Sequence, residues 1–476
     1  MQPGVYYLFA DCDPALQSAG GHMSAPFRWE KEMNRRTFLR RAATVGMSVA
    51  AAGGMALTRP SSSPASSALT AQATGGQPLT LGFPSWMFSE PSTGKYYKEL
   101  AAEYSAAHPN QKIDLISLPP GQYVEKVFTE ISGGHVPDIL PLFTTQMPQY
   151  IHLGLLEPLD PWLDKASFKK KILPLQKFAQ KDGKNYGVVL TASPQGLLYN
   201  HQLLNKAEVD VPTTLDELYS AADKVFKKTG VFGYGVHVDP STMLLAYVSC
   251  MQWVLGHGSN FSKSDGTITC NAAGTVEAFT HMMRFVNAPF VPKGLGWYQL
   301  RTMFAEGKVA MLLDGPWDLG QVKAVNPALY PHISMAPAPT PTHAAITGGA
   351  FYTILKKEPN KQAVWDFIAY ASSDQWQRRW MELLVQVAGL NVQPDPVFLK
   401  TNPGFRYVTE IAAKYATGFG YLPPGYELVA TTFQTKVIDH VADIWSGAKP
   451  PRAALDECQR ELEAWAKTVP AKDRGM

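Results

Sequence analysis

The sequence predicts an α/β protein, and three observations carry that expectation: its size, its charge balance and its alternation of strand-like and helix-like segments. At 476 residues the chain is long enough for two or three domains, or for one large two-lobed unit. It is 45% hydrophobic and 17% charged, a globular composition with ample apolar material for a core. From Leu79 onward, short apolar runs alternate with stretches of helical spacing. That pattern predicts a mostly parallel sheet covered by helices on both faces.

The elements follow in order. Leu79-Thr80-Leu81-Gly82-Phe83 reads as the first strand. Residues 95–108 place Tyr97, Leu100, Ala101, Tyr104 and Ala107 on one helical stripe, which stops near His108-Pro109. Residues 113–118 read as a second strand, 123–131 as a second helix and 137–142 as a third strand. The mostly apolar run 243–255 is too short to span a membrane and reads as a buried helix. Residues 361–380 and 434–467 are mostly helical.

The first 73 residues stand apart. Met33-Asn34-Arg35-Arg36-Thr37-Phe38-Leu39 precedes a weakly apolar run over 42–57. This reads as the charged and hydrophobic regions of a twin-arginine export signal. Residues 58–78 are almost all Ser, Pro, Ala, Thr and Gly, a flexible spacer. We therefore read 1–32 as a mis-called extension and 33–73 as signal peptide and spacer. The mature protein is expected in the periplasm or at the outer face of the cell membrane.

Several function classes drop out. Residues 74–476 carry 36 Lys/Arg against 36 Asp/Glu. Such a neutral body argues against nucleic acid as a partner. Cys12, Cys250, Cys270 and Cys458 show no C-x-x-C spacing, so neither a zinc site nor a disulfide framework is expected, with a Cys250–Cys270 pair left open. No metalloprotease, nucleophile-elbow, P-loop or complete dinucleotide motif occurs. No catalytic residue, metal or cofactor is expected. The carboxylates of a glycosidase converge only in the fold, so a secreted carbohydrate-active hydrolase stays as an alternative.

A series of motifs then appears in order. Gly133-Gly134-His135-Val136-Pro137-Asp138-Ile139 comes first, followed by Gly154-Leu155-Leu156-Glu157-Pro158-Leu159-Asp160. Asp182-Gly183-Lys184-Asn185-Tyr186-Gly187 leads to Leu198-Tyr199-Asn200. Pro212-Thr213-Thr214-Leu215-Asp216-Glu217-Leu218 follows, then residues 304–313 and Gly315-Pro316-Trp317. Over about 79–465 the chain resembles the family 1 extracellular solute-binding proteins of ABC importers, the maltose-binding type, with Leu215 where that family usually has Trp. The resemblance implies a bilobed periplasmic-binding-protein-like fold of type II, closing on its ligand by hinge motion. Hinge crossings are expected near 191–195, 340–347 and 388–394. The expected parts are 74–193 (N-lobe), 194–343 (C-lobe), 344–390 (N-lobe return) and 391–476 (helical, mainly C-lobe).

The same resemblance implies a monomer that hands a mono- or oligosaccharide to the membrane domains of an importer. Glycerol-phosphate or a polyamine are the alternative cargoes, and a ligand-sensing clamp docking to a membrane receptor is the alternative role. A sugar offers flat C–H faces to aromatic rings and hydroxyls to fixed polar groups. Trp86, Trp297 and Trp317 stand in loop-like contexts after strand-like runs and are the candidate platforms. Trp253, on an apolar helix, is included with core packing as its competing role. Thr144, Thr145 and Gln146 follow the third strand, and Asp318 follows Trp317. Gly348 and Gly349 would let bare backbone approach the ligand. The aromatic loop holding Tyr421 and Tyr426 completes the expected site.

Overall fold

The computed structural model describes residues 78–475 apart from 119, 403 and 418–421. The expected extension, signal peptide and spacer, and Tyr421, lie outside the described residues. Strand β1 (Leu79–Ser85) and strand β2 (Gln111–Ser117) pair in parallel, and helix α1 (Pro91–Ala107) connects them. Pro91 at the first helical turn starts α1 where its missing N–H costs nothing. Helix α2 (Pro120–Ser132) then leads to β3 (Leu140–Phe143). The Pro-Asp-Ile motif holds β1 in place beside β3. Gly82 donates its N–H to Asp138 Oδ2 at 2.7 Å, and the Ile139 N–H donates to the Gly82 carbonyl at 3.1 Å.

Strand β4 (Val188–Pro194) is separated by Gln195 from β5 (Gly196–Asn200), yet the two belong to different sheets. Strands β6 (Met311–Asp314) and β7 (Ile333–Ala336) flank β5, both antiparallel to it. Strand β8 (Ala345–Thr353) returns to pair antiparallel with β3 and β4. The sheets are therefore mixed, where alternation alone predicted mostly parallel pairing. The reason is the path: a strand that arrives from the other sheet enters against the direction of its neighbours.

Two cores result. One gathers Phe83, Tyr97, Leu142, Phe351, Phe367 and Trp380. The other gathers Leu197, Tyr247, Phe279, Phe285, Phe433 and Leu462. Residues between 297 and 335 serve both: Leu300 and Leu312 pack into the first, Met311 and Leu313 into the second. At the passage between β4 and β5, the Gln195 N–H donates to the Ile346 carbonyl at 2.8 Å. Bridges Thr191–Ala388 and Ile172–Leu390 bring a third segment alongside. The C-terminal part divides, with Phe398, Phe405 and Ile411 in the first core and Val437 and Leu455 in the second.

The remaining motifs have structural reasons. Asp182 and Gly183 both take positive φ, 51° and 73°, as a two-residue hairpin turn requires. Asn185, at the end of that hairpin, donates its N–H and side-chain amide to Asp160 at 3.0 and 2.7 Å. Thr214 caps helix Leu215–Thr229 by accepting the Glu217 N–H, and Glu217 in turn accepts the Thr213 N–H. Cys250, Cys270 and Cys458 are buried free thiols, so the Cys250–Cys270 pair left open by the sequence is not made. Among the described residues no helix is long and apolar enough to cross a membrane.

Candidate ligand-binding site

Each tryptophan expected in a loop instead begins a helix. Trp86 opens the 3-10 turn Trp86–Ser89, capped by Ser85. Trp297 opens α3 (Trp297–Ala305), and Trp317 opens α4 (Trp317–Val325). The Gly, Ser and Pro residues before them are helix-start chemistry, which in sequence looks like loop.

The structure brings one group of predicted residues together at the end of β3. Trp86 stacks on Phe143 with ring centroids 3.8 Å apart and meets Tyr123 edge-on. Thr144 donates its hydroxyl to the Gly349 carbonyl at 2.8 Å. Gln146 accepts the Phe143 N–H, while its own amide nitrogen has no partner. Thr145 lies half-buried between them. Gly348 and Gly349 are half-exposed. They sit inside β8, in register with Ser193 and Ala192. A Cβ on Gly349 would come within 2.5 Å of Leu175 and 2.9 Å of the Thr191 carbonyl, so close packing explains that glycine. Trp86, 8% exposed, has its ring covered by aromatic neighbours.

A second group forms at the end of β6, and here the chemistry is ionic. Asp314 accepts two bonds from Arg301, at 2.7 and 3.1 Å, one from the Gly315 N–H at 2.7 Å and one from Trp317 Nε1 at 2.9 Å. The Trp317 ring folds back over Gly315, where any Cβ would collide with it. The Arg301 guanidinium lies 5.3, 5.7 and 5.2 Å from the ring centres of Trp297, Tyr298 and Trp317, within cation–π reach. Asp318, 1% exposed, stands 3.4 Å from Arg301 Nε, and neither of its oxygens has a hydrogen-bond donor. Burial, reinforced by the charge of Asp314, pushes the Asp318 carboxyl well above its ordinary range. Burial alone would weaken the charge on Arg301, but Asp314 and Asp318 outweigh it and hold the guanidinium protonated.

Glu90, immediately before α1, lies within electrostatic reach of Arg301 and Asp318. Burial raises its carboxyl, an effect that Arg301 and the Thr93 hydroxyl partly oppose. Behind Trp297 lies a cavity of about 10 Å³, room for one water, lined by His237, Gln252, Trp253 and Asp314. Burial lowers the His237 imidazole to about 4, so it is neutral at pH 7. Gln252 donates to Gln195 at 2.8 Å and to the Leu313 carbonyl at 3.2 Å. It thus ties the site end of β6 to the crossing between the cores.

Two expected residues fall elsewhere. Trp253 is 2% exposed and packs against Phe285 in the second core, meeting only the water-sized cavity behind Trp297. Tyr426 is fully buried beside Phe433 and Trp465, with its hydroxyl donating to the Gly266 carbonyl at 2.6 Å. Tyr426 is a correction to the sequence expectation, and for Trp253 the competing core role holds: packing has used the faces a ligand would need. Trp297, 5% exposed, offers at most an edge, while Trp317 stays half-buried. Sequence reasoning missed Glu90, Arg301 and Asp314. Two signals pointed to them: Arg301 lies one helical turn beyond Trp297, and Asp314 directly precedes Gly315-Pro316-Trp317.

The bacterial extracellular solute-binding protein family matches residues 89–378. The chain belongs to that family. Within it, the chain is 22% identical to the galactooligosaccharide-binding protein of Bacillus subtilis, over 80% of this chain and 89% of that one. The diacetylchitobiose binding protein DasA of Streptomyces coelicolor is 23% identical, over 63% and 71%. The GacH receptor of Streptomyces glaucescens superposes with a TM-score of 0.72 at 22% identity, covering 83% of this chain and all of the receptor. That likeness shows the bilobed fold. As a solute-binding protein, this chain shares the bilobed architecture of its family.

Proposed function

We propose that this solute-binding protein captures a carbohydrate between its lobes and delivers it to an ABC importer outside the cytoplasm. The observation that carries the reading is the half-buried Trp317 ring held by Asp314 beside the carboxyls of Asp318 and Glu90. An aromatic face with hydroxyl acceptors around it is what a pyranose needs. The family and the sugar-binding relatives support it. Residues 74–193 with 344–390 form the first lobe and 194–343 the second, with 391–476 mainly on the second. Trp317 and Tyr298 meet the ligand from one side with Asp318 buried behind them, and Trp86, Thr144, Thr145 and Gln146 border it on the other. The protein acts as a monomer, exported by the twin-arginine signal at 33–41, and performs no turnover.

A thermal-shift screen against a sugar panel tests this. A ligand bound only by the folded state raises stability by RT ln(1 + [L]/Kd), so one sugar class should raise the melting temperature in a concentration-dependent way. Stabilisation by peptides or polyamines with no response to any sugar would overturn the reading. Replacing both Arg35 and Arg36 by Lys should strand the precursor in the cytoplasm, and normal export of that variant would remove the twin-arginine route.

A further inference from the structure

A second recess lies on the first core alone. It encloses about 570 Å³, within the range of about 300–1,000 Å³ usual for small-molecule sites. The stretch 161–168 and the helix Lys361–Ala371 frame it, and the Glu157–Lys361 ion pair at 2.7 Å ties the two together. Leu156 bridges Leu355 just beyond the Thr353–Leu140 end of the β8–β3 pairing, whereas Thr144 meets Gly349 at the other end. The recess shares no residue with the proposed carbohydrate site. Three of its rings lie nearly parallel. Trp162 and Phe168 stand 6.0 and 6.2 Å from Trp365, with planes 19° and 25° apart. Trp162 Nε1 donates to Gln362 Oε1 at 2.8 Å, and Gln362 Nε2 donates to Asp366 Oδ1 at 2.8 Å. The half-buried Trp162 ring is thus fixed before any ligand arrives.

The polar lining is one-sided. It holds the Lys165 ammonium and the Ser167 hydroxyl, both exposed and without a side-chain partner among the described residues, and it holds no carboxylate. Asp164, next to Lys165 in the chain, is taken by Lys169 at 2.7 Å. A cationic ligand would be repelled here, and a neutral sugar would leave the ammonium unmatched. A carboxylate accepts from both donors, and the C–H face of the pyranose that carries it can cover an indole. We propose that this recess binds an acidic oligosaccharide, with a uronate carboxylate on Lys165 and its pyranose ring on Trp162. It is a second saccharide site, independent of the cargo site.

The test is calorimetric titration at pH 7 with trigalacturonate, its methyl ester, which keeps the rings but loses the charge, and neutral galactotriose. The acid should bind more tightly than both uncharged forms, and added salt should shrink that advantage by screening the exposed pair. Lys165→Gln should weaken the acid about fivefold, the scale of one exposed ion pair, leave the ester unchanged, and be rescued by Lys165→Arg. Trp162→Ala should weaken acid and ester alike by at least about tenfold, with unliganded melting confirming the fold. Lys165→Gln alters only an exposed side chain, so it decides the matter even where Trp162→Ala does not fold. Acid binding that ignores both substitutions, or that is lost in Trp317→Ala instead, overturns the inference. Equal binding of the ester, or no binding of the acid, overturns it too. Each of these results leaves the cargo reading to its own sugar screen.

Discussion

At the end of β3, Trp86 lies flat on Phe143 and Thr144 bonds the Gly349 carbonyl, so the polar groups there are met largely by neighbouring backbone. At the end of β6, about the same number of side chains encloses a guanidinium, two carboxyls and two tryptophans, with Asp318 and the Trp297 N–H left without partners. The first region is mostly packing, although the buried Gln146 amide nitrogen there also lacks a partner. The second holds more strongly charged groups, including a buried carboxyl with no donor, at high cost. On the proposed reading, the contrast separates scaffold from recognition.

Breaking the ionic side should have the largest effect. Arg301→Met leaves Asp314, Asp318 and Glu90 facing one another without their cation. Removing one partner of a buried ion pair costs about 3–5 kcal/mol, so denaturant unfolding should show a loss of that size. A loss below about 1 kcal/mol would mean the carboxyls simply protonate and the pairing matters little.

A middle-sized effect comes from a buried carboxyl on the first lobe that has no cation. Glu358, 2% exposed, has its carboxyl raised from an ordinary 4.5 to about 7, by burial and then by Asp138, while the Asn360 N–H opposes. Its folded-state value lies above its unfolded one, so between about 4.5 and 7 the folded protein binds the extra proton. Stability from this group is therefore present at the acid end, falls as pH rises across that window, and is level above it. Melting temperatures from pH 4.5 to 8 should show that slope in the wild type and a flatter profile in Glu358→Gln. Identical profiles would remove Glu358 as its source.

The smallest effect belongs to the packed side. Thr144→Val deletes the hydroxyl bond to Gly349 but keeps the shape, and should cost about 1 kcal/mol with little change in ligand affinity. A large affinity loss in this variant would show that the β3 end also recognises ligand and blur the comparison.

Much of the fold was legible because its signals are local. The stripe of Tyr97, Leu100 and Tyr104 foretold α1, and the Asp182-Gly183 turn and Thr214 cap lie within a few residues of what they shape. The family motifs were readable for the same reason: Asp138 and Asp160 fasten β1 and the hairpin. The ionic group was not legible. Glu90, Arg301, Asp314 and Asp318 come from three separate stretches, and only the crossing between cores makes them one object. The tryptophans show a subtler loss. Gly, Ser and Pro mark helix starts as readily as loops, so Trp297 looked open and is buried, while Trp253 stood on an apolar run that already pointed to the core and Tyr426 gave no such sign.

The central claim is that Trp317 meets the ligand while its Asp314 bond only orients it, and Trp317→Ala tests that most directly when sugar titration is paired with melting of the unliganded protein. Losing the stacked face should weaken binding by about 1–3 kcal/mol, a roughly ten- to hundredfold change. Losing the bond to Asp314 should cost about 1 kcal/mol of unliganded stability. Unchanged affinity together with a stability loss of about 3–5 kcal/mol would make Trp317 a core residue and contradict the account.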